Sequence, residues 1–265
     1  METSGIKSKI VEECTLPSKG LIYDDGKVNP DVVLSSMKTK HEMLRLSATD
    51  DSNRVMANII DDCLESDLGV SSYDLCLGDF YFLMMKLRVA SFGPNYYMGA
   101  ACPLCLFEQE TEFNLDALEV REYDDDVEKL MDITLPVSEN KVKLGFQTPR
   151  IIDRINNRCK EYRRKHKDTD DNPIVLYTIL ASIMEIDGEE PNPFTLENWV
   201  KELPIMDTQA LINRIEQMND AIGVDLVEEA TCKVCGRHYR VPFRITGEFF
   251  RPHNLGLQVK GQSNI

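Results

Sequence analysis

Two short cysteine pairs constrain this chain more than any other feature. Cys102-Pro-Leu-Cys105 and Cys232-Lys-Val-Cys235 each set thiols three positions apart, and 126 residues lie between the pairs. Thiols at that spacing on a tight turn aim at a common point. Two such turns face to face offer four thiolates to a tetrahedral ion. Each pair adjoins a stretch of strand-like alternation, so the expected setting is two turn-and-strand units brought together from distant parts of the chain. Gly236 follows the second pair, where a residue tolerant of positive φ lets backbone amides point at sulfur. Pro103 stiffens the first.

Cys102, Cys105, Cys232 and Cys235 are therefore the expected ligands of one Zn²⁺ ion. The interval is far longer than the roughly 15–20 residues between the halves of a compact zinc ribbon. A helical insertion looped out of a two-part β unit accounts for the difference. Four thiolates around Zn²⁺ carry a charge of −2, which Lys233, Arg237 and Arg240 partly offset. His238 is an alternative fourth ligand, although four cysteines suffice. The competing readings are reduced, unligated thiols and a redox pair. A redox pair would follow a strand and open a helix, which neither motif does. A site closed by four thiolates leaves no position for water or substrate, so it is structural.

Composition narrows the setting. The chain has 265 residues, enough for one large domain or two small ones, with 42% hydrophobic and 28% charged residues. Its 45 acidic against 30 basic side chains give a net charge of −15. Such a surface repels phosphate, which disfavours nucleic acid and anionic membranes and suits a basic partner. The first twenty residues contain no apolar core of a secretory signal, and the longest apolar run, Ile174–Met184, falls short of a membrane span. Eight cysteines in a chain able to fold on its own core predict a reducing, cytosolic compartment.

Periodicity predicts an α+β fold. Residues 1–50 read as extended structure around the turn formers of Leu16–Val28. Val55, Met56, Ile59, Ile60, Cys63 and Leu64 form one helical stripe, and Asp79 reads as the N-cap of an apolar helix ended by Gly93-Pro94. Met84 and Met85 read as core. From Ala100 the texture turns to β, with two short strands around Ser138–Asn140. Thr148-Pro149 opens a helix whose basic end, Arg163–Lys167, suits the negative pole of the helix dipole. Residues 172–188 read as a second, central helix, and two shorter ones follow with Thr195 and Asp207 as caps. The β texture returns around the second cysteine pair.

The expected organisation is an N-terminal extended segment with helices (1–99) and a discontinuous zinc-bearing, zinc-ribbon-like β module (100–148 and 222–252). A helical insertion (149–221) and a C-terminal tail (253–265) complete it.

No catalytic motif emerges. Phosphate-cradling glycine loops and nucleophile elbows are absent. His41-Glu42 begins a zincin-like string, but Arg45 stands where the second His belongs. Asp168–Pro173 imitates a calcium loop without its glycine, and Ile179 occupies the place of its bidentate Glu. The aspartate clusters at 50–51, 61–62 and 124–126 read as solvated faces or linkers rather than catalytic carboxylates.

The order of several short motifs resembles the baseplate hub proteins of T-even-like contractile-tailed bacteriophages. The pieces are Leu16-Pro-Ser-Lys-Gly-Leu-Ile-Tyr23, Leu87-Arg88-Val-Ala-Ser91-Phe92-Gly93, the Cys102–Cys105 pair, Leu135-Pro136, Ile183–Gly188, Cys232–Gly236 and Phe249–Pro252. The resemblance covers about residues 14–252. It implies a non-enzymatic viral tail protein, either a hub subunit or a hub assembly factor. Its partners would be other baseplate hub and tail proteins, with no nucleic acid, membrane or small-molecule substrate, and its place the host cytoplasm during assembly or the virion. The rival reading is a zinc-ribbon nucleic-acid-binding or transcription-related viral protein. That reading needs basic and aromatic patches, and only Arg163–Lys167 and Arg237–Arg240 offer them.

Overall fold

The computed structural model describes residues 11–24, 26–47, 53–167, 171–242, 245 and 247–250. The tail expected at 253–265, the closing Pro252 and Asp168–Asp170 lie outside these.

The fold mixes helices with small antiparallel sheets. It opens with the paired strands β1 (Val11–Thr15) and β2 (Asp31–Ser35), followed by helices α1 (Thr39–Ser47), α2 (Asn53–Cys63) and α3 (Leu77–Phe92). A hairpin of β3 (Asn95–Ala101) and β4 (Glu108–Asn114) comes next, then β5 (Val120–Arg121), α4 (Asp125–Lys129), β6 (Asp132–Thr134) and β7 (Lys141–Leu144). Helices α5 (Pro149–Lys165) and α6 (Ile174–Ser182) precede β8 (Ile183–Ile186), and α7 (Pro193–Lys201) and α8 (Ile205–Ala221) follow it. The chain returns through β9 (Gly223–Val224) to a second hairpin, β10 (Val227–Thr231) and β11 (His238–Pro242). Among the described residues no helix is long and apolar enough to cross a membrane.

Helix α3 organises the larger core. Its sequence LGDFYFLMMKLRVASF is apolar on all sides, and 11 of its 16 residues are buried. Strands β1 and β2, helix α2 and strand β9 pack around it, with Leu16, Val32, Leu34, Ile59, Ile60, Phe249 and Phe250 in the same cluster. Met84 and Met85 are buried there as expected. The helix start meets β9 backbone to backbone. A Cβ on Gly78 would lie 2.2 Å from the Ile222 carbonyl oxygen, and Gly223 answers with φ +107°.

The N-terminal turn is tied to this helix by Asp79. The helix starts earlier than expected, with Cys76 as N-cap. Asp79 occupies the third helical position, fully buried, and its carboxylate binds the N-terminal turn. Its Oδ1 accepts from the Ser18 amide at 2.9 Å, and its Oδ2 from the Ser18 hydroxyl at 2.5 Å and the Tyr23 hydroxyl at 2.7 Å. The Cys76 amide in turn donates to Tyr23 Oη. Burial pushes the Asp79 carboxyl up, against the pull of the Ser18 and Tyr23 hydrogen bonds. At the other end, buried Arg88 donates from Nε to the Phe249 carbonyl and from Nη1 to the Gly93 carbonyl, both at 3.2 Å. Its guanidinium lies 4.7 Å from the Phe92 ring centre. Ser91 Oγ accepts from the Met37 amide.

A second core lies among β6, β7, β8, α6, α7 and α8, built from Leu135, Val142, Leu144, Ile179, Val200, Leu211, Ile215 and Met218. Residues 172–188 are not one helix. The helix stops at Ser182, whose hydroxyl donates back to the Thr178 carbonyl, and Ile183–Ile186 become the third strand of the β6-β7-β8 sheet. An apolar run without polar alternation suits a buried helix and a buried strand equally, so periodicity could not separate them. Through this strand, residues 132–144 pack with the helices of 149–221, while 120–121 pair with 223–224.

Helix α1 stands where extended structure was expected. It buries His41 and Arg45 and leaves Met43, Leu44 and Leu46 exposed, a reversal of the usual pattern. Two expected caps are also displaced. Asn192 caps α7 in place of Thr195. Asp207, like Asp79, sits at the third position of its helix, and accepts from the amides of Val137 at 2.8 Å and Ser138 at 2.9 Å. Although burial raises the Asp207 carboxyl, these amides hold it below the usual carboxylate range. Thr148 caps α5 as expected.

Two measurements check these latches. Asp79→Ala should cost about 3 kcal/mol in urea unfolding, because it strands a buried amide and two hydroxyls, and Tyr23→Phe about 1 kcal/mol. Asp207 has its carboxyl depressed in the fold, so its contribution is present above the unfolded value of about 4 and fades as pH falls below it. The urea midpoint of Asp207→Asn should therefore differ from wild type at pH 7 and converge on it toward pH 3; a constant difference would refute the assignment.

Candidate metal centre

The two cysteine turns have the same construction. In the β3–β4 hairpin, Ala101 pairs with Glu108, and in the β10–β11 hairpin, Thr231 pairs with His238. Inside each turn the first cysteine's amide donates to the residue five ahead, Cys102 to the Phe107 carbonyl and Cys232 to the Arg237 carbonyl, both at 2.9 Å. Its carbonyl accepts from the residue four ahead, Leu106 or Gly236, also at 2.9 Å. That fourth residue has positive φ in both turns, +60° at Leu106 and +69° at Gly236. Glycine announces this conformation in the second turn; in the first a leucine adopts it, with no signal in the sequence.

The turns meet head to head. Cys102 Sγ lies 3.7 Å from Cys235 Sγ, and Cys105 Sγ 3.5 Å from Cys232 Sγ. All four sulfurs lie within 4.8 Å of one another. The first cysteine of each pair is buried and the second exposed, so the cluster has the sense of a local two-fold. The two hairpins keep separate two-stranded sheets and join at their tips. A tetrahedral ion with Zn–S bonds of about 2.3 Å separates its sulfurs by about 3.8 Å. The two short spacings fit that edge length.

Electrostatics point the same way. The Cys235 amide, with that of Val234, pulls the Cys232 thiol down to about 6, and the amides of Cys105 and Leu104 lower Cys102. Cys105 receives a downward pull from the Phe107 amide. Desolvation and the neighbouring thiols Cys232, Cys102 and Cys235 outweigh it and push Cys105 up to about 12. The cluster thus gives up its first protons readily and its last reluctantly. A bound cation removes that reluctance.

One supporting residue escaped the sequence reading. Gln109, buried on β4, donates from Nε2 to the Thr231 carbonyl at 2.9 Å and accepts at Oε1 from the Lys233 amide at 2.8 Å. It stitches one turn to the other independently of any ion. Lys233 Nζ reaches the Glu110 carbonyl. His238 pairs through Nδ1 with Thr231 Oγ1 and stands outside the sulfur cluster. Of the other cysteines, Cys63, Cys76 and Cys159 are buried singly and Cys14 is half-buried. Cys102, Cys232, Phe113, Ala230, Tyr239 and Val241 belong to the core around α3, so the centre is anchored to the main body.

Comparison with known proteins bears on what this architecture is for. No curated protein and no solved structure matches the chain. A family model described as T4 bacteriophage base plate protein matches residues 9–251. That span takes in the Asp79-bound turn, the Arg88 helix end and both cysteine turns, and on it the chain belongs to the T4 bacteriophage base plate protein family.

Proposed function

We propose that this protein is a hub component of a phage baseplate, a hub subunit or a hub assembly factor, and that it works by binding other tail proteins rather than by catalysis. Membership of the baseplate family carries the reading. A structural role in the phage tail needs a contact surface, and the exposed turn tips support that reading. The turn tips expose Leu104 (63%), Leu106 (77%) and Val234 (64%), an apolar face suited to protein contact and unsuited to phosphate. The net charge of −15 steers basic partners and opposes self-association.

In the same reading Cys102, Cys105, Cys232 and Cys235 hold one structural zinc ion, the observation behind it being four thiols within 4.8 Å of one another. Zinc would supply the charge the thiolates require and fix two distant segments before association, which limits the entropy lost on binding.

Two experiments test this. Protein purified without added metal should contain about one equivalent of zinc. Cys102→Ser or Cys235→Ser should lose it and unfold more than about 10 °C lower; four freely titratable thiols in metal-free, fully stable protein would overturn the assignment. Mixed with baseplate hub proteins, the chain should form a stoichiometric complex that Leu104→Asp and Val234→Asp weaken without loss of metal. Inertness toward every tail protein, together with tight binding to DNA, would favour the nucleic-acid-binding alternative.

A further inference from the structure

Helix α5 concentrates positive charge in an acidic protein. Residues 150–167 hold eight lysines and arginines against Asp153 and Glu161, in a chain of net charge −15. The helix dipole explains only the C-terminal part of this. The first turn carries Arg150 and no acid, opposite to what the positive pole selects. Some of these cations are spent within the fold: Arg150 pairs with Asp74, and Arg158 with Glu197.

Others face an open hollow of about 690 Å³ between α2 and α5. Asp153, Asn156, Asn157, Lys160 and Arg163 recur along one face of α5 and line it together with Arg54 of α2 and Asn172. The carboxylate on that face is turned to structural use. Asp153 accepts from the Asn53 side chain and the Arg54 amide, and from the Tyr73 hydroxyl at 2.8 Å. Arg54 has no carboxylate partner among the described residues, and Arg163 reaches only Asn172 Oδ1, at 3.5 Å.

We propose that this hollow binds a short acidic segment of a partner protein, its carboxylates received by Arg54 and Arg163 and its backbone by the side-chain amides of Asn156, Asn157 and Asn172. Guanidinium forks match carboxylates in bidentate geometry, and side-chain amides suit a peptide backbone. A peptide fits better than nucleic acid because the basic face is one helix long, about 25 Å, and the rest of the molecule repels an extended polyanion. The site is separate from the cysteine centre and does not depend on it.

Fluorescence anisotropy of a labelled deca-glutamate peptide at about 100 mM salt tests the proposal. Arg54→Glu and Arg163→Glu should each weaken binding by about tenfold or more, and Lys129→Glu, the same charge change on an exposed pair elsewhere, by less than about twofold. Each variant's thermal midpoint reports its folding, and Arg54→Gln and Arg163→Gln replace any variant that fails. Absence of binding, equal weakening by Lys129→Glu, or displacement of the peptide by a ten-nucleotide oligothymidylate at lower concentration than by unlabelled peptide would overturn it.

Discussion

A helix that is apolar on every side must be covered on every side, and that requirement at α3 governs the rest of the molecule. Leu77–Phe92 cannot be a surface element, so segments remote in sequence are recruited to wrap it: 16–35 on one flank, 53–64 on another, 222–224 at its start and 249–250 near its end. Burial drives the recruitment, but burial has no direction. Direction comes from a few polar groups that the helix carries into its own core. Asp79 takes the amide and hydroxyl of Ser18 and the hydroxyl of Tyr23, and Arg88 takes the carbonyls of Gly93 and Phe249. A buried charge left without such partners is costly, so each acts as a test that the correct segment has arrived.

This gives physical content to the short motifs by which the sequence resembles its family. Leu16–Tyr23 supplies the donors for Asp79, Leu87–Gly93 contains Arg88 and Ser91, and Phe249 supplies a carbonyl for Arg88. These motifs, the outermost of them more than two hundred residues apart, are neighbours around one helix.

The cysteine cluster was legible in the sequence because ligand spacing is a chemical signal that survives any intervening length. The helical stripe at 55–64 and the two strands around 138–140 were legible because one periodicity dominated each. Elsewhere the pattern was ambiguous or reversed. Ile174–Ile186 is apolar throughout, and only pairing with β7 decides where helix gives way to strand. In α1 the buried residues are a histidine held by the Lys38 amide and by Asp62, and an arginine. Amphipathic reasoning has nothing to grip there. Asp79 and Asp207 were correctly sensed as belonging to helix starts, yet their partners lie 61 and about 70 residues away, beyond the reach of local rules. Gln109 gave no signal at all, since a glutamine on a strand is unremarkable until the opposing turn is seen.

The wide separation of the two cysteine turns also sets an order of events on the ribosome. At about 5–20 residues per second, the second turn follows the first by something on the order of ten seconds. Through that interval Cys102 and Cys105 have been synthesised without their counterparts, and α3 still lacks the strand and the two phenylalanines that close its surface. One later stretch, 222–250, delivers all three. Completion of the centre and closure of the core thus fall together once this stretch has emerged, and a chain truncated before Cys232 would have neither.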